Sequence, residues 1–133
     1  MDKHRLTPQE RQERFARERK GRTSEERFRH LLSDPAKKPA WIVKVEHSNR
    51  PDDYGKGIDF WVYTTTGWKI PVDVKSSMRG LRKHIAIHGP LSVCVVVMFR
   101  DIDDDTMRLD ALDIIMEFQE NAIRNGTDSN FKS

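Results

Sequence analysis

Two alternating runs, Ile58–Thr64 and Trp68–Lys75, parted only by Thr65-Thr66-Gly67, constrain the fold of this chain more than any other feature. Both are rich in β-branched and aromatic residues, and a short glycine-bearing turn between such runs predicts a β-hairpin. If the hairpin folds about Thr66, residues whose numbers sum to 132 sit opposite one another, and Asp59 faces Asp73. Side chains alternate across a strand, so Ile58, Phe60 and Val62 share one face with Ile70, Val72 and Val74. Asp59 falls on the other face with Asp73 and Lys75. Two carboxylates opposed across a hairpin repel and destabilise it. A cation between them would remove that penalty, and a hard dication such as Mg²⁺ takes carboxylate oxygens while keeping several waters. Lys75, two residues after Asp73, points the same way. Near a divalent ion a lysine is pushed towards its neutral form, which suits it to take a proton from water.

The rest of the chain supplies the elements that would cover this hairpin. Thr7-Pro8-Gln9-Glu10 is a helix start, with Thr as N-cap, Pro at the first helical position and Glu at the third. The helix is expected to run to about Lys20 and stop at Gly21. A second start follows at Thr23, with Glu26 closing a capping box, Phe28, Leu31 and Leu32 on one face, and an end before Asp34-Pro35. Trp41–Glu46 reads as a first strand, and residues 47–57 as a polar loop. Ser77–Ile85 is a weaker helical stretch, with Gly80 against it. Leu91–Phe99 has the continuous apolar pattern of a strand buried on both faces. Leu109–Arg124 is a helix with Leu109, Leu112, Ile115, Met116 and Ile123 at helical spacing, and the tail from Asn125 is expected to fray. The order α-β-β-β-α-β-α predicts an α/β sandwich on a mixed sheet of about four strands.

Charge bears on the partner. Residues 1–100 carry 21 Lys and Arg against 12 Asp and Glu, a balance of +9, while residues 101–133 carry 3 against 9, a balance of −6. A basic body suits a phosphate-rich partner. No apolar run approaches the ~18–20 residues of a membrane span, and the N-terminus carries no apolar signal segment, so a cytoplasmic protein without a membrane partner is expected. The lone Cys94 excludes a disulfide scaffold and reads as a buried, inert thiol.

The stretch GIDF, then a turn, then VDVKSS resembles the active-site hairpin of the PD-(D/E)xK nucleases, the restriction-endonuclease-like superfamily. The resemblance implies that Asp59 and Asp73 bind a divalent ion, Mg²⁺ or Mn²⁺, with the Val74 carbonyl as a further metal ligand. It implies that Lys75 positions or activates the attacking water. The superfamily often adds a glutamate from the preceding helix, and Glu25 is favoured over Glu26, which is explained as the capping partner. Glu25, three residues before Phe28 and seven before Leu32, lies on the face turned to the sheet. With its helix and three strands, the chain is similar to the small Holliday junction resolvases over roughly residues 21–124. Two departures stand out: the second acid is Asp rather than the commoner Glu, and Ser76 and Ser77 follow the lysine where Gln is usual.

The reading is therefore of a basic helical arm over residues 1–22, one nuclease-like domain over 23–124 and a polar tail over 125–133. The expected activity is Mg²⁺-dependent phosphodiester hydrolysis in DNA, with RNA not excluded and a homodimer possible. The alternative is a non-catalytic nucleic-acid-binding or assembly module on the same fold. Arg79, Arg82, Lys83 and His84 are candidate backbone-phosphate contacts. Arg11, Arg14, Arg17, Arg19, Lys20 and Arg22 on the arm are further cations that could meet nucleic acid or mediate self-association. His84 and His88 have zinc spacing for a helix, but Ile85–Ile87 reads as extended and no third ligand is evident. Asp101–Asp105 lacks the Gly and Glu of a calcium loop. Trp61, Tyr63 and Trp68 read as packing or a dimer surface, and Tyr54 as within reach of a substrate.

Overall fold

A computed structural model describes residues 7–48 and 57–132, without the side chains of residues 13–23. The readings of Tyr54 and of the arm cations from Arg14 to Arg22 as side chains lie outside the described residues. In chain order the elements are α1 (Pro8–Ser33), β1 (Ile42–His47), β2 (Phe60–Thr64), β3 (Lys69–Lys75), α2 (Met78–His88), β4 (Cys94–Val97), α3 (Asp104–Arg124) and a closing 3-10 turn, Asp128–Phe131. The sheet runs β1-β2-β3-β4, with antiparallel pairings between the first three strands and a parallel pairing of β3 with β4. Parallel neighbours need a crossover, and α2 is that crossover. The architecture is α/β on an open, mixed sheet of four strands.

The hairpin keeps the expected register, with Phe60 opposite Val72, Trp61 opposite Pro71, Val62 opposite Ile70 and Tyr63 opposite Lys69. Phe60, Val62, Ile70, Val72 and Val74 join Phe28, Leu31 and Leu32 of α1 and Met107, Ala111 and Ile115 of α3 in one core. β3 is buried on both faces along most of its length, as an inner strand covered on either side must be.

Four local expectations are corrected. The helix does not stop at Gly21: α1 is continuous for 26 residues, so Thr23 is no N-cap and Glu26 closes no capping box. One interior glycine costs a helix only ~1 kcal/mol, and no proline or reversing turn follows to end it. The arm and the first helix of the domain are one rod, and among the described residues its core contacts include Phe28, Leu31 and Leu32. The first capping box, at Thr7 and Glu10, forms as read.

In α3 the core face is Met107, Ala111, Ile115 and Ala122, while Leu109, Met116 and Ile123 stay 61%, 45% and 60% exposed. This helix carries two apolar stripes, and the one with two alanines lets its backbone approach the sheet more closely. α2 extends through Ile85–Ile87 to His88, capped by Ser77 at its start and ended at Gly89.

Nor does the tail fray. α3 closes in a Schellman turn, with Thr127 N–H donating to Ala122 O and Gly126 N–H to Ile123 O. Phe131 then stacks on Trp68 at 6.4 Å and meets Phe118 edge-on at 5.0 Å.

Two arginines bind α1 to the β4–α3 end. Arg27 reaches Asp104 and the carbonyls of Phe99 and Ile102, and buried Arg108 reaches Leu31 O at 2.9 Å and Asp105 at 2.8 Å. The Leu31 carbonyl sits in the last turn of α1, where helix carbonyls lack partners of their own. Asp103 caps α3, so the acidic run 101–105 is a helix start rather than an ion loop.

Candidate active site

The site is built where the hairpin ladder ends. Ser48 fixes the entry to β2, its N–H donating to Asp59 O at 2.9 Å and its hydroxyl to the Ile58 carbonyl. Asp59 N–H donates to Val72 O at 2.8 Å. Its carboxylate then takes the place of a backbone acceptor, receiving Val74 N–H on Oδ2 at 2.7 Å. Val74 thus faces the site through its amide. Asp59 is brought against Asp73 on the opposite strand, as the register requires, close enough for the two carboxyl groups to act on each other.

Burial is the main cause that pushes the Asp59 carboxyl up to about 9, with the Asp73 hydrogen bond and the charges of Asp73 and Glu25 adding to it; Val74 N–H opposes them. At neutral pH the Asp59 carboxyl therefore keeps its proton, as a buried carboxyl beside a second acid does.

Asp73 is 3% exposed. Its Oδ2 lies 3.0 Å from Lys75 Nζ and 2.6 Å from His84 Nδ1. Both are ion-pair distances, and this buried oxygen has no hydrogen-bond partner. The lysine stem rests on α2 where Gly80 leaves room: a Cβ there would stand 3.2 Å from Lys75 Cδ and 3.4 Å from its Cβ. The glycine that weakens the helix in sequence is thus what lets the lysine lie along it.

Glu25 is half-buried on α1, close enough for its charge to act on Asp59, and its Oε2 lies 4.0 Å from His47 Nε2. Glu26 is exposed on another side of the helix, lining a hollow with Arg29, His30 and Pro35. Of the two acids, Glu25 is the one beside the cluster.

Arg79, Arg82 and Lys83 stand exposed on α2. His84 does not join them. It is 4% exposed and turned inwards onto Asp73, because α2 stays helical to His88 and carries residue 84 to its inner side. Burial lowers the pKa of its imidazole, and Asp73 works against that shift. His88 packs against it with ring centroids 4.8 Å apart. Sequence reasoning missed His84 as part of the cluster, although its four-residue spacing from His88 was the available signal.

Trp61 and Tyr63, on the same face of β2 as Asp59, carry Lys69 Nζ 4.3 Å from the Trp61 ring and Lys44 Nζ 4.5 Å from the Tyr63 ring. Cys94 is buried, and burial alone raises its thiol pKa.

The fit to a dication can be judged from these groups. Among the described residues no three His, Cys, Asp or Glu side chains form a ready metal cluster. Mg²⁺ does not require one, since it is commonly bound through one or two carboxylates with water completing the shell. Two neighbouring carboxyl groups, one with a buried oxygen lacking a hydrogen-bond partner, suit an ion between them. The residues present fit the ion. No protein-family model matches the chain, and no curated protein or solved structure matches it either.

Proposed function

We propose that the chain is a metal-dependent endonuclease of the restriction-endonuclease-like fold, hydrolysing phosphodiester bonds in DNA with Mg²⁺ or Mn²⁺. The observation that carries this reading is the buried, unsatisfied Asp73 Oδ2 beside Asp59, with Lys75 at its edge. The element order and the mixed sheet, with its parallel last strand, support it as well.

Asp59 and Asp73 would hold the ion, with the Val74 carbonyl as a further ligand and Glu25 assisting directly or through water. When bound, the ion supplies Lewis-acid polarisation of the phosphate and acidifies water. Lys75 orients the attacking water or takes its proton. The α2 cations Arg79, Arg82 and Lys83 hold the phosphate backbone without reading bases. Junction selectivity would further need a symmetric dimer, so that paired nicks fall on two strands.

A second reading, a non-catalytic module, is favoured by one observation: Asp59 already serves the fold by ending the ladder at Val74 N–H. Incubation with supercoiled plasmid, single-stranded DNA and a four-way junction, each with Mg²⁺, Mn²⁺ or EDTA, separates the two. Metal-dependent cleavage is expected. Salt-sensitive binding that ignores the metal, with no cleavage, would favour the module.

Gly80→Ala tests the seat of Lys75. Alanine favours the helix by up to ~1 kcal/mol, so the fold is expected to hold. The added methyl displaces the lysine stem, and cleavage is expected to fall by roughly tenfold, as small misplacements of reacting groups do. Unchanged cleavage would mean that Lys75 needs no such seat.

A further inference from the structure

We propose that His84 is a nitrogen ligand of the cation held by Asp59 and Asp73, so that the site takes an imidazole-accepting first-row dication such as Mn²⁺ in preference to Mg²⁺. The inference rests on the metal-dependent reading above and deepens it.

Three observations carry it. His84 Nδ1 converges on Asp73 Oδ2 to 2.6 Å, yet that oxygen gains no hydrogen bond from it. The other ring nitrogen, Nε2, is buried and also lacks a hydrogen-bond partner. An unsatisfied polar atom in a protein interior costs on the order of 1–3 kcal/mol, so a ring with this much unmet capacity is a poor choice for packing alone. Finally, the ring is held in place. His88 lies against one side, and Gly57 closes so near that a Cβ there would stand 3.4 Å from His84 Cε1 and 3.3 Å from His88 Nε2.

The three side chains form no ready cluster as they stand, so coordination needs an adjustment. Ligands at ~2.1 Å around an octahedral ion are about 3 Å from one another. The 2.6 Å contact would open by a few tenths of an ångström as the ion enters between Nδ1 and Oδ2. Mg²⁺ is served by oxygen ligands, whereas first-row transition ions, Mn²⁺ among them, also accept a nitrogen ligand, so one histidine beside two carboxylates shifts preference towards them.

Pulsed electron paramagnetic resonance of the Mn²⁺-loaded protein reads the bond directly, since a coordinated imidazole imprints a ¹⁴N coupling on the metal signal. The coupling is expected in the wild type, in His47→Gln and in His88→Gln, and is expected to vanish in His84→Gln. Mn²⁺ affinity in His84→Gln should fall by ~10-fold or more, with Mg²⁺ affinity changed less. Bound Mn²⁺ without ¹⁴N coupling in the wild type would overturn the assignment while leaving the carboxylate site intact, and needs no variant to fold. A coupling that survives in His84→Gln would overturn it too. A wild type that binds neither ion at millimolar concentration would sink the metal reading itself.

Discussion

Asp73→Ala is expected to abolish metal binding and strand cleavage together, whereas Lys75→Ala is expected to keep the metal and lose turnover. Asp73 lies on β3 against Asp59 and two residues before Lys75, so its removal takes away the oxygen on which Lys75 and His84 converge. Lys75 touches the same oxygen from the rim, with a third of its side chain exposed, and holds no ion. Its loss should cost ~10²–10⁴ in rate, the usual contribution of a positioned proton-transfer group. Titration calorimetry with Mn²⁺ reads the first property and plasmid nicking the second. Wild-type cleavage by Lys75→Ala would show that the lysine has no part in the chemistry, whatever the fate of Asp73→Ala.

The second large effect is on stability. Asp59 titrates near its ordinary value in the unfolded chain and at about 9 in the folded one, chiefly because it is buried. Between those values the folded state binds more protons, so the stability of the metal-free protein is expected to fall as pH rises from about 4 towards 9. Asp59→Asn removes the titrating group while keeping an acceptor for Val74 N–H. In EDTA it should be more stable than the wild type, by at least ~2 kcal/mol at pH 8, with the gain shrinking towards pH 4. Urea denaturation at several pH values measures this. Saturating Mn²⁺ should restore the wild type by ~3 kcal/mol at a hundredfold excess over its dissociation constant, and leave Asp59→Asn nearly unmoved. Equal pH slopes for the two proteins would mean that the carboxyl pair is not under strain.

The hairpin was legible in the sequence because its signal is local and doubled: two alternating runs and one turn leave a single register that buries Phe60, Val62, Ile70 and Val72 together. The juxtaposition of Asp59, Asp73 and Lys75 follows from that register alone. Other features depended on competition that a local pattern does not decide. Gly21 reads as a helix stop until the residues on both sides are seen to favour one continuing rod. α3 has two stripes that periodicity ranks alike, and packing chose the one with Ala111 and Ala122. Phe131 sits in a polar tail with no period, and Trp68 is what makes it a core residue. In sequence His84 reads as a surface phosphate contact, because Ile85–Ile87 reads as extended. Once α2 continues to His88, the same residue faces Asp73.

The unbroken α1 sets the helical phase between Arg11, exposed near its start, and Phe28 in the core. One residue inserted between them would swing everything upstream by about 100° around the axis and shift it by about 1.5 Å. An insertion of seven would return it to within about 20° of its original bearing, one step further out along the same line. Whatever meets the start of this helix is therefore presented at an angle set by residue count, as a propeller blade is set by its keyway.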